Sequence, residues 1–95
     1  MSVATVERDK IAEFKERYAT EDIDSLLWIL SGLCDIKVYV GSESEKYYGL
    51  LNFKNFVLEK YNSLEDFEKE KHNANLKEVL EEVDEELQYL LDTYL

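Results

Sequence analysis

Leu76-Lys-Glu-Val-Leu-Glu-Glu-Val-Asp-Glu-Glu-Leu-Gln-Tyr-Leu-Leu-Asp-Thr-Tyr-Leu95 is the stretch whose reading decides the fold. Leu76, Leu80, Val83, Leu87, Leu90 and Tyr94 follow one another at spacings of four, three, four, three and four. That is heptad phasing, with Leu80, Leu87 and Tyr94 at a and Leu76, Val83 and Leu90 at d. The pattern lasts fewer than three heptads, and Val79 and Leu91 widen it. A broad, short stripe predicts a helix packed inside a globular bundle rather than a long coiled coil.

The other side of this helix is acidic. Glu78, Glu81, Glu82, Asp84, Glu85, Glu86 and Asp92 stand against Lys77 alone. Glu78–Glu82, Glu81–Glu85 and Glu82–Glu86 are like-charge pairs four apart. Each costs an isolated helix about 0.2–0.5 kcal/mol. Solubility alone would be met by interspersed lysines, as in Glu65-Asp-Phe-Glu-Lys-Glu-Lys71.

Upstream the apolar spacing stays helical. Proline is absent and glycine occurs only at 32, 41 and 49, so long helices are expected. Val3, Val6, Ile11, Phe14 and Tyr18 predict a first helix over roughly the first 18 residues. Thr20 is a candidate N-cap, with Glu21 and Asp22 beside the positive end of the next helix. Ile23, Leu26, Leu27, Leu30 and Leu33 form that helix's stripe, and Trp28 and Ile29 extend its apolar circumference. It is therefore expected to be the central helix.

Ile36, Val38 and Val40 alternate with Lys37 and Tyr39, which predicts one short strand at 36–40 followed by a turn at 41–44. Residues 45–51 read either as a return strand or as the start of a helix capped by Ser42 and Glu45. Tyr47, Leu50, Phe53, Val57 and Tyr61 favour the helix. Ser63 with Asp66 resembles an N-terminal cap for a short helix to about Lys71. His72-Asn-Ala-Asn75 then reads as a break before the last helix. The expectation is a single, mainly α domain, a compact bundle of four to five helices with one short β-strand or hairpin near residues 36–40.

Composition narrows the function. A chain of 95 residues with 45% hydrophobic content and 12 aromatic side chains can fill one core, which argues against disorder. A formal net charge of −11 repels phosphate backbones and anionic lipid, so nucleic acid and membrane are disfavoured as direct partners and basic proteins are favoured. Cys34 is the only cysteine, the opening residues show no signal-like apolar segment, and the longest apolar run is Leu26 to Leu30. These features predict a cytoplasmic protein.

Motifs for chemistry are weak. Cys34 and His72 match no nucleophile–base signature, and a buried structural thiol is the simpler reading. One His and one Cys cannot build a zinc site, and Asp22-Ile-Asp24 lacks the glycine and terminal Glu of a calcium loop. A helix-turn-helix from the first two helices would put an apolar helix in a DNA groove. Tyr39, Tyr47 and Tyr48 suit an interface, although core and rim positions are the favoured reading of three tyrosines near an irregular segment. The strand edge at 36–40 could pair with another chain. No enzyme, cofactor or metal site is expected.

What remains is the outer acidic strip. Glu78, Glu81, Glu82, Glu85, Tyr89 and Asp92 are the candidate partner-binding residues. Carboxylates on a rigid helix can meet Arg and Lys in charge-assisted pairs and speed encounter. The expected function is a small inhibitor or adaptor that occludes a basic, even nucleic-acid-binding, surface of another protein. Small phage anti-defence and toxin-neutralising proteins share this size and charge. The alternative is a self-assembling helical subunit, a homodimer included. A zipper of two such helices is disfavoured, because Asp84 and Glu86 flank the seam without basic counterparts.

Overall fold

A computed structural model describes residues 12–35 and 43–94. Among the described residues there are four helical stretches and no strand. Helix α1 covers residues 12–18, α2 runs Ile23–Asp35, α3 Glu43–Asn62 and α4 Asp66–Tyr94. The expected strand at 36–40 and the first half of its turn, Ser42 included, lie outside the described residues, while Glu43 and Ser44 of that turn already belong to α3.

The three long helices each pack on the other two. Short side-chain contacts set their directions. Asp24 meets His72 and Ser31 meets Glu82, so α2 and α4 run the same way. Lys46 meets Glu86 and the Tyr61 hydroxyl donates to the Lys69 carbonyl, so α3 runs opposite to α4. The core follows the stripes read from sequence: Ile23, Leu26, Leu27 and Leu30 from α2, Leu50, Phe53, Phe56 and Val57 from α3, and Leu76, Val79, Val83, Leu87 and Leu90 from α4 are all buried. Each such side chain contributes about 1.5–3 kcal/mol of apolar transfer. The segment 45–51 is helical, which settles the ambiguity in favour of α3.

Helix α1 is held to α3 by rings. Phe14 and Tyr18 pack edge-on against Phe53 at centroid separations of 5.2 and 5.4 Å and lie tilted over Phe56. Lys15 reaches Glu59 at 3.0 Å in an exposed pair. Arg17 instead lies over the Tyr18 ring, 5.9 Å from its centroid.

Several local expectations are corrected. The N-cap of α2 is Asp22, not Thr20: the Ser25 N–H donates to Asp22 Oδ1 at 2.8 Å, and the Leu26 N–H donates to the Asp22 carbonyl at 3.1 Å. Thr20 falls instead in the turn that the Glu21 N–H closes on the Tyr18 carbonyl. Ser63 does not cap α4. Its hydroxyl donates back to the Lys60 carbonyl at 2.6 Å and finishes α3, while the Glu65 carbonyl accepts the first turn of α4.

The break at 72–75 does not exist, and α4 is one helix of 29 residues. Asn73 and Asn75 face solvent, where poor helix formers cost only tenths of a kcal/mol, while half-buried His72 and buried Leu76 carry the inner stripe through. Nor is α2 enclosed. Trp28 is 80% exposed, because the bundle covers only the Ile23–Leu26–Leu27–Leu30–Cys34 side.

Neighbouring residues of α2 should therefore respond oppositely to truncation. Leu27→Ala is expected to cost about 2–5 kcal/mol, as a fully buried leucine does, while Trp28→Ala changes stability by less than about 0.5 kcal/mol. Urea unfolding measures both. The Asp22 cap gives a pH signature. Hydrogen bonds from the Ser25 backbone and hydroxyl hold the Asp22 carboxyl below its ordinary 3.8. A carboxyl lowered on folding stabilises fully above its unfolded value and loses that contribution as pH falls through the folded one. Asp22→Ala is thus less stable than the parent at neutral pH, and the gap closes below 3.8. Asp22→Asn, which still caps, should stay close to the parent at neutral pH.

Candidate interaction surface

Placing the acids of α4 begins with its buried stripe, which fixes the rotation of every other position. The stripe turns Glu82, Asp84 and Glu86 toward the flanks, where neighbouring helices reach them. The Ser31 hydroxyl donates to Glu82 Oε2 at 3.2 Å across the α2–α4 joint. Lys54 donates to Asp84 Oδ1 at 2.6 Å and Lys46 to Glu86 Oε1 at 3.0 Å, both from α3. The Lys46–Glu86 pair is the more enclosed, with side chains 12% and 25% exposed.

Glu78, Glu81, Glu85 and Asp92 point outward and are exposed. At about 100° per residue they fall within an arc of roughly 60°, spread over about 21 Å of helix. Among the described residues Glu78, Glu81 and Glu85 make no ion pair, and Asp92 accepts from Gln88 Nε2 at 2.9 Å. Tyr89 is 54% exposed at the edge of the same arc. Of the six candidates, five share this outer face. Glu82 does not belong with them, since it is half-buried and helps join α4 to α2. Among the outward acids, Glu81–Glu85 is then the exposed like-charge pair four apart.

Folding thus sorts the acids into two sets. In the flanking set, Asp84 and Glu86 lie at the seam's e and g positions and meet α3 lysines, while Glu82, at c, meets an α2 hydroxyl. The outer set has no such role. Where the seam is described it is covered within one chain, with Leu76, Val83, Leu87 and Leu90 buried and Leu80 half-buried.

Helix α2 adds what the acidic pattern did not announce. Trp28 sits between Asp24 and Ser31, the two residues that touch α4 through His72 and Glu82. Its turn therefore lies alongside the part of α4 that carries Asn75 and Glu78. The signal in the sequence was positional: Trp28 falls about 140° around the helix from Ile23, well off the stripe centre.

The remaining constellations are engaged within the fold. Cys34 is buried. His72 Nδ1 faces Asp24 Oδ1 at 3.0 Å, and Asp22 is occupied as a cap, so the Asp22-Ile-Asp24 acids are engaged separately. Tyr47 packs on the core and meets Tyr48 edge-on at 5.2 Å. Among the described residues no group of three or more His, Cys, Asp and Glu side chains converges as a metal site, and no helix is long and apolar enough to cross a membrane. Comparison with protein-family models, with curated proteins and with solved structures gives no match.

The two sets of acids should separate in a stability measurement. Glu86→Gln is expected to lower stability by about 1 kcal/mol, since it weakens a charge-assisted bond to a well-covered lysine. Glu81→Gln or Glu85→Gln should leave stability unchanged or raise it by about 0.2–0.5 kcal/mol by removing a like-charge pair. Urea midpoints at low salt would show the contrast.

Proposed function

We propose that this protein is a binding module that lays the outer face of α4 on a basic surface of another protein and occludes it. The observation carrying the reading is the outward set Glu78, Glu81 and Glu85, which the fold leaves without ion pairs among the described residues. Their mutual repulsion disfavours folding slightly, and no packing role offsets it. A partner lined with Arg and Lys turns the same charges into charge-assisted hydrogen bonds and into steering during encounter.

The target surface is one built to hold a polyanion, such as the nucleic-acid-binding groove of an enzyme. Carboxylates on the helix stand in for phosphates there, and inhibition is steric and electrostatic. Small phage anti-defence and toxin-neutralising proteins act within this general class. The reading requires no catalysis, cofactor or metal. It places the protein in the cytoplasm, where such targets work.

Self-assembly is the second reading. Its support is the apolar surface that one chain leaves open, with Trp28 80% and Phe67 69% exposed. Light scattering across a dilution series separates the two, because a stable oligomer favours assembly.

Capture from host extract at low and high salt identifies the partner. The triple variant Glu78→Gln, Glu81→Gln, Glu85→Gln should then associate at least tenfold more slowly at low salt, with a flatter dependence on ionic strength. Unaltered association kinetics would sink the reading.

A further inference from the structure

The exposed indole of Trp28 gives the acidic face a specificity that charge alone lacks. Resting on the reading above, the geometry points to a mixed α2–α4 face that recognises arginine in a partner segment, with Trp28 as the stacking platform and Glu78 among the carboxylates beside it.

Three observations carry this. First, Trp28 is 80% exposed although its neighbours Leu27 and Leu30 are fully buried, so the ring is presented outward on a turn that packing holds rigid. Second, the flanking contacts Asp24–His72 and Ser31–Glu82 fix α2 against α4 on either side of that turn. The indole thus stands on a braced joint, level with the α4 turn that carries Asn75 and Glu78, not on a loose surface. Third, Gly32 lies one turn beyond Trp28, and a Cβ there would touch nothing within 4 Å. Packing does not require this glycine, which costs a helix about 1 kcal/mol relative to alanine. It leaves the next turn beside the indole without a side chain, so a flat group can approach.

The chemistry of the occupant follows from the platform. An indole face carries the negative lobe of the ring quadrupole and attracts cations. Guanidinium is planar and weakly hydrated, so it stacks on the ring while its edge donates to a carboxylate. Ammonium is compact and strongly hydrated, and gains less. A second copy of this chain is a poor occupant. It would bring its own Asp24 and Glu78 to the same face, and the net charge of −11 already opposes close approach.

The single tryptophan makes the test direct. The whole protein is titrated with fluorescently labelled nona-arginine and nona-lysine peptides of equal charge, followed by peptide anisotropy and by indole emission. The expected result is arginine binding about fivefold or more tighter than lysine binding, a step typical of a cation–π contact, with indole emission shifted by the arginine peptide. Trp28→Ala should bring the two peptides to equal affinity while retaining salt-sensitive binding, and its circular dichroism should match the parent. Equal affinities in the parent with unmoved emission would overturn the arginine platform and leave the acidic-face reading standing. Arginine preference that survives in the Glu78→Gln, Glu81→Gln, Glu85→Gln variant at undiminished affinity would do the reverse. Concentration-dependent dimerisation abolished by Trp28→Ala would assign the ring to a second copy and also overturn the proposal.

Discussion

Burial of the α4 stripe between α2 and α3 is the constraint on which everything else in this structure depends. Leu76, Val79, Val83, Leu87 and Leu90 commit one side of a 29-residue helix to the core. Because a helix is rigid in rotation, that commitment leaves no choice about where the acids go. Positions beside the stripe meet Lys46, Lys54 and Ser31, and positions opposite meet water. The division of a uniformly acidic sequence into cohesive and outward charges is thus a by-product of hydrophobic packing.

The same constraint explains how an acidic chain stays folded. Two of its cations, Lys46 and Lys54, stand on α3 against the flanks of α4. A partly covered pair such as Lys46–Glu86 is less screened than an exposed one such as Lys15–Glu59. Ring packing does the corresponding work for α1, where Phe14 and Tyr18 close on Phe53 and Phe56.

Much of this was legible in the chain. Apolar spacing gave the stripes of α2, α3 and α4, since periodicity reports burial directly. Boundaries were harder. Thr20, Ser63 and Asn75 all have cap chemistry, but a cap forms only where the chain must turn, and that is decided by tertiary packing. Hence Asp22 won over Thr20, and His72–Asn75 stayed helical because Leu76 and Val79 needed a continuous stripe. The candidate strip was readable in five residues of six. Glu82 was misplaced because its partner, Ser31, is 51 positions away and has no charge to advertise it. Trp28 was read as apolar bulk, whereas helical phase alone could place it outside the stripe but not show that the bundle stops short of covering it.

An unbroken α4 has one more consequence. With no hinge at residues 72–75, its outward carboxylates form a ruler graduated at about 5.4 Å per turn. A surface that matches those graduations loses little conformational freedom on docking, because the ruler is already straight. One that does not match cannot bend it into register without tearing the core stripe on its other side. In the proposed binding role, selectivity among basic surfaces comes from the stiffness of the helix as much as from its charge.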